Sequence, residues 1–153
     1  MKSLKINIII AGVIALTIAS ISQPVLAQHD PVTGIWKTID DKTGQARSLV
    51  KLEIVNGELQ GTIMQTFPTP GEAPMTHCTL CSDTRKNQAI VGMKIMNGLK
   101  QDKTGYWSGG EILDPKEGKI YKVKLSTEDG KKLDVRGYIG IALIGRTQTW
   151  LKE

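Results

Sequence analysis

The amino-acid sequence predicts an all-β protein, an antiparallel up-and-down β-barrel of about eight strands. Helical periodicity is hard to find, whereas apolar and polar residues alternate in one short run after another. Most connections between the runs are short, so neighbours in sequence should be neighbours in the sheet. Eight such strands leave two exposed edges unless the sheet closes. Glycines set inside otherwise good strand patterns (Gly61, Gly92, Gly109, Gly137 and Gly145) suit the bulges and tight bends of barrel corners.

The first strand is GIWKTI, residues 34–39. Residues 48–55, SLVKLEIV, put Val50, Leu52 and Ile54 on one face and Lys51 and Glu53 on the other. Asn56-Gly57 follows at once and alternation resumes through Leu59, Gly61 and Ile63, the strongest short signal for a hairpin. A long segment, 67–88, then carries Pro68, Pro70 and Pro74 and reads as a loop. Residues 89–96 are apolar and β-branched enough for a strand, and 105–113 form the next. The turn DPKEG, 114–118, leads into KIYKVKLS, 119–126, where Tyr121, Val123 and Leu125 alternate with Lys122 and Lys124. Glu128-Asp129-Gly130 turns the chain into KLDVRGYI, 132–139, with Leu133, Val135 and Ile139 facing inward. The last strand is 143–151.

Ahead of these strands, Lys2 and Lys5 precede an unbroken apolar run over 8–16, and the stretch ends in Val25-Leu26-Ala27. A basic start, a short apolar middle and an A-x-A-like end describe a secretory signal peptide, residues 1–27. The run is shorter than the ~20 apolar residues of a spanning helix, so no stable membrane insertion is expected after cleavage. The mature part is then one domain, 28–153, acting in the periplasm or secreted. Without the two leader lysines, 18 basic residues stand against 15 acidic ones, a net charge of +3. Clustered Lys/Arg with interleaved aromatics are missing, so nucleic acid is not an expected partner.

A Gly-x-Trp on the first strand of an eight-stranded barrel resembles the lipocalins and their calycin relatives. In that group the Trp packs across one barrel end beneath a late basic side chain. The resemblance implies that Gly34 and Trp36 close a barrel end, with Arg146 in IGRTQTW as the basic partner and Arg136 as runner-up. A guanidinium over an indole gains roughly 0.5–2 kcal/mol. A second likeness covers nearly the whole mature part. GIWKT, the paired cysteines, GGEILDPKEGKIYKVKL and LDVRGYIGIALIGRTQTW together resemble the bacterial family called domain of unknown function 2147. Members of that family are exported and some are described as lipocalin-like. It has no established activity, so the resemblance brings no catalytic residues.

The sequence THCTLCSD sets His77 beside Cys78, with Cys81 three residues on. A structural Cys78–Cys81 disulfide stands first, because export implies an oxidising compartment and these are the only two cysteines. It would pin the 67–88 segment. A redox pair is the second reading, but no helix pattern follows to lower a thiol pKa. A metal site of Cys78, Cys81 and His77 is third and lacks a fourth ligand, since His29 lies near the start. Covalent haem needs the histidine after the pair. No cofactor or metal is expected, and no residue set argues for catalysis. Small barrels are either filled by their own side chains or hold one ligand. The first expectation is a small apolar ligand, with Met64, Met93, Met96 and Trp107 lining its pocket. The alternative is a filled barrel acting on other proteins through the 67–88 loop, and a thiol-redox protein is a third class. Oligomeric state stays open.

Overall fold

A computed structural model describes residues 29–153; the leader read at 1–27 lies outside the described residues. Eight strands follow one another: β1 (Gly34–Ile39), β2 (Ala46–Val55), β3 (Glu58–Thr66), β4 (Lys94–Lys103), β5 (Tyr106–Asp114), β6 (Lys119–Ser126), β7 (Lys132–Tyr138) and β8 (Gly145–Lys152). They form one closed antiparallel barrel in sequence order, and β8 returns to pair with β1 through Trp36↔Lys152 and Lys37↔Leu151. The expected architecture is the observed one. Closure supplies partners for the two edges that an open sheet would expose.

The hairpin at Asn56-Gly57 forms as its residues dictate. Both take positive φ, 52° and 78°, as a primed two-residue turn requires. Inward residues Val50 and Leu52 of β2 are buried, but Ile54 is 44% exposed because β2 and β3 run past the barrel end there. At Gly61 a side chain would not fit: an added Cβ would sit 2.9 Å from Leu52 Cδ2 and from Met96 Cβ. The β3–β4 register shifts beside it, as expected of a barrel corner. Gly109 also marks an irregularity, between Trp107 and Gly110, whereas Gly137 pairs regularly with Arg146. Gly92 precedes β4 and Gly145 opens β8, so those two glycines end strand patterns instead of bending them.

Three boundaries differ from the sequence reading. The apolar run 89–96 is not one strand. Residues 89–93 turn back on β3, where Gly92 N–H donates to Ile63 O (2.8 Å) and Ile63 N–H donates to Met93 O (3.0 Å). β4 proper extends to Lys103 through a polar stretch whose pattern hid it. The last strand begins at Gly145, because Ile144 N–H donates to Ile141 O in a turn (3.1 Å). β7 stops at Tyr138, so Ile139 lies beyond the strand, in the β7–β8 loop, and is 68% exposed.

The barrel has unlike ends. At one end the chain enters, and the β2–β3, β4–β5 and β6–β7 turns gather there with the C-terminus. The other end, the mouth, carries the β1–β2, β5–β6 and β7–β8 turns and the long 67–93 loop. Side chains fill the closed half: Trp36, Leu52, Leu59, Met96, Leu99 and Leu133 are all 1% exposed or less.

Candidate functional site

The entering chain and β1 seal the closed end. Asp30 is buried, and its Oδ1 accepts Val32 N–H (3.0 Å) while Oδ2 accepts Gln101 Nε2–H (2.6 Å) and Gly105 N–H (3.3 Å). Val32 O in turn accepts the Trp36 indole N–H at 2.7 Å, so the ring is fully buried with its one polar atom satisfied. The cation above that ring is Lys152, whose Nζ lies 4.4 Å from its centroid and donates to Thr33 O. Burial pushes the Lys152 ammonium below its ordinary 10.5. Gly34 makes room for this lysine. Its φ is +119°, outside the range of other L-residues, and an added Cβ would come 2.6 Å from Lys152 Nζ.

Arg146 therefore does not cap Trp36, and neither does the runner-up Arg136. In an antiparallel barrel of eight strands the start of β1 meets the end of β8. Lys152 sits there, and Arg146 lies at the opposite end of β8, some six residues or about 20 Å away. At the mouth, Arg146 Nε–H donates to Asp41 Oδ2 in the β1–β2 turn at 2.6 Å. Arg136 Nε–H donates to Ala142 O (2.8 Å) and its Nη2–H to Leu143 O (3.1 Å), holding the β7–β8 turn.

The mouth half of the barrel is hollow. A cavity of about 840 Å³ opens there, between walls that include Ile63, Ile95, Leu113, Val135 and Trp150. Phe67 and Ile90 from the long loop roof one side. Polar groups line the cavity as well, most of them toward the rim, with Gln148 lower in the wall opposite Val135. Thr38 and Ser48 hydroxyls pair at 2.8 Å, and the Tyr121 hydroxyl donates to Glu117 Oε2 at 2.7 Å. Around the rim the charges pair off: Arg47 with Asp40 (3.1 Å), Lys116 with Glu72 (3.0 Å), Lys119 with Glu117 (3.4 Å). The result is a mainly apolar chamber under a polar, nearly neutral edge.

Of the four side chains expected to line a pocket, Met64, Met93 and Met96 lie outside the mouth cavity, and Trp107 lines a separate, smaller cavity of about 340 Å³. Met96 is fully buried against Gly61 in the closed half, and Met93 is buried where the long loop rejoins the wall. Met64 points outward and is 47% exposed, since its neighbour Ile63 takes the inward position. Trp107 is buried with its indole N–H unpartnered and lies outside the mouth cavity. Strand alternation taken one step nearer the mouth would have found Thr38, Ser48, Ile63, Tyr121, Val135 and Trp150. Methionine content could not, because it says nothing about height in the barrel.

The Tyr121–Glu117 pair gives the cavity a pH signature. The hydrogen bond to Glu117, reinforced by burial, pushes the Tyr121 phenol up from 10.0 to about 12. The folded protein then holds this proton more tightly than the unfolded chain does. Its contribution to stability is present below pH 10.0 and is lost as pH rises toward about 12. In a spectrophotometric titration one of the three tyrosines should ionise last, near pH 12. Glu117→Ala should bring it back toward 10.0; an unchanged last step would mean that the pair does not form in solution.

The long loop is ordered by its own bonds. Cys78 and Cys81 are joined, with Cα atoms 5.5 Å apart, and both are buried. The disulfide removes both thiols from redox-nucleophile and metal-ligand roles in this state. His77 is left exposed, with Nδ1 3.0 Å from the Thr76 hydroxyl. Cys78 N–H donates to Gln88 O (2.9 Å) and Asn87 N–H to Cys78 O (3.0 Å), and Lys116–Glu72 ties the loop to the β5–β6 turn. So short a closed loop contributes only about 2 kcal/mol by chain entropy. Cys78→Ser/Cys81→Ser is expected to cost that much in urea denaturation, and mass spectrometry of the native protein should find both thiols oxidised. Free thiols in protein isolated under non-reducing conditions would refute the structural role.

Among families, the model described as an uncharacterized protein conserved in bacteria (DUF2147) matches residues 34–152. Among solved structures, protein HP1028 from the human pathogen Helicobacter pylori, described as belonging to the lipocalin family, superposes with a TM-score of 0.67 at 20% identity. The match covers 79% of this chain and 82% of that one, and it shows a shared fold. No curated protein matches the sequence.

Proposed function

The chain belongs to DUF2147, a family of uncharacterized proteins conserved in bacteria, and folds as a lipocalin-like barrel; on that footing we propose that it binds one small, mainly apolar ligand at the mouth. The observation that carries this reading is the cavity of about 840 Å³, inside the roughly 300–1,000 Å³ range of small-molecule sites. Ile63, Ile95, Val135 and Trp150 supply apolar walls, and most of the polar groups, Gln148 excepted, lie toward the rim. That distribution suits an amphiphile whose apolar body enters first and whose polar group stays near Tyr121, Gln148 and Arg146. The core fills only the closed half, which favours a ligand over a filled barrel acting through the 67–88 loop alone.

Export is part of the proposal. The leader pattern of residues 1–27 and the oxidised cysteine pair both suit a periplasmic or secreted protein. The test is native mass spectrometry of gently purified protein, with solvent extraction of what it carries, followed by displacement of an apolar fluorescent probe. A reproducible extra mass, or saturable one-to-one probe binding, is expected. A clean apo mass together with no probe binding would overturn the ligand reading.

A further inference from the structure

The β7–β8 loop, 139–144, reads Ile-Gly-Ile-Ala-Leu-Ile and carries no charged or hydrogen-bonding side chain. Ile139, Ile141, Leu143 and Ile144 are 68, 60, 86 and 73% exposed, an unusual concentration of large aliphatics in water. Ile139 and Ile144 also line the cavity, while Ile141 and Leu143 do not. The loop thus has an inner pair at the cavity wall and an outer pair at the tip. Arg136 holds its shape by donating to Ala142 O and Leu143 O, which ties off two carbonyls that would otherwise resist leaving water.

We infer that this loop is a membrane-contact element that sets the barrel mouth against a lipid surface. The tip is wholly aliphatic, without the Trp, Tyr or Arg anchors that dominate protein–protein contacts. Beside it the rim charges are largely cancelled: Arg146 is held by Asp41 and Arg47 by Asp40. Lys42, next to Asp41 in the β1–β2 turn, has no acidic partner among the described residues and is free to meet a phosphate headgroup. An apolar tip flanked by a free cation is the chemistry of an interfacial anchor. This deepens the ligand reading by placing the cavity where an apolar ligand would be exchanged. The tip does not need an occupied cavity to act.

Flotation of the purified protein with vesicles of phosphatidylethanolamine and phosphatidylglycerol tests it. Wild-type protein should float with the vesicles. Ile141→Asp/Leu143→Asp should weaken that binding about tenfold or more while keeping its melting temperature and its affinity for the apolar probe. Leu143→Trp should emit at shorter wavelength with vesicles and be quenched by brominated acyl chains. Absence of flotation, an undiminished double variant, or an unquenched Trp would overturn the inference. So would a concentration-dependent dimer that the Asp substitutions dissolve, since the tip would then belong to a second copy of the chain. Loss of probe binding in the wild-type protein, with vesicle binding intact, would instead count against the ligand reading alone.

Discussion

Trp36→Ala is expected to destabilise the protein by about 3–5 kcal/mol, the usual range for removing a buried large aromatic. Whole domains are stable by only about 5–15 kcal/mol, so this one change should bring the barrel close to unfolding at ambient temperature. The size follows from what the ring does. It is fully buried, its N–H satisfies Val32 O, and it supports Lys152 over its face. Two neighbouring variants separate the parts. Lys152→Met should lose the cation–π attraction, roughly 0.5–2 kcal/mol, while keeping most of the packed stem. Arg146→Ala should cost no more than about 1 kcal/mol, since its ion pair with Asp41 is largely solvated. Urea denaturation followed by far-ultraviolet circular dichroism measures all three. A near-neutral Trp36→Ala would mean that the closed end is held by something other than this ring.

Gly137→Phe should abolish most of the cavity's ligand binding without unfolding the barrel. Gly137 faces the chamber near the mouth end of β7, and an added Cβ would meet Tyr121 Cβ at 3.6 Å, an ordinary contact. The backbone there is a regular ladder, pairing with Val123 and Arg146, so a strand-favouring residue is accommodated. The ring must then project into the space that a ligand would fill. Probe affinity is expected to fall by about tenfold or more, equivalent to at least ~1.4 kcal/mol, with the melting temperature unchanged or raised. Unchanged affinity in a folded variant would place the ligand elsewhere. The same substitution leaves the β7–β8 tip untouched, so vesicle binding should persist in it.

The two predictions sit at opposite ends of the barrel, and the sequence was legible to different depths at each. At the closed end Gly34-x-Trp36 was readable, because a glycine before an aromatic on a first strand is a local pattern. Its cation was not: the late basic residue was expected at Arg146, with Arg136 as runner-up, and it is Lys152. Strand direction decides the matter: eight alternating strands bring the last residues of β8, and not its first, to the start of β1. At the mouth the polar lining near Tyr121 and the apolar walls were not legible, because residue type does not record height in the barrel. Two of the methionines expected to line a pocket turned out to fill the closed half or the loop joint. The 89–96 run failed for another reason. Its residues 89–93 dock a loop onto β3, so their burial comes from tertiary contact and carries no strand period, and only 94–96 belong to β4.

What the sequence determined alone was an antiparallel barrel of about eight strands in sequence order, the Asn56-Gly57 turn and the pairing of Cys78 with Cys81. Those features depend on residues a few positions apart, where alternation, turn chemistry and a short closed loop leave little choice. Only the tertiary structure decided that Lys152 lies over Trp36, that Arg146 meets Asp41, and that the barrel is packed below and hollow above. Each of these joins segments from distant parts of the chain. They are set by register and by how the inward side chains of eight strands share a common space, and no single stretch of sequence records that sum.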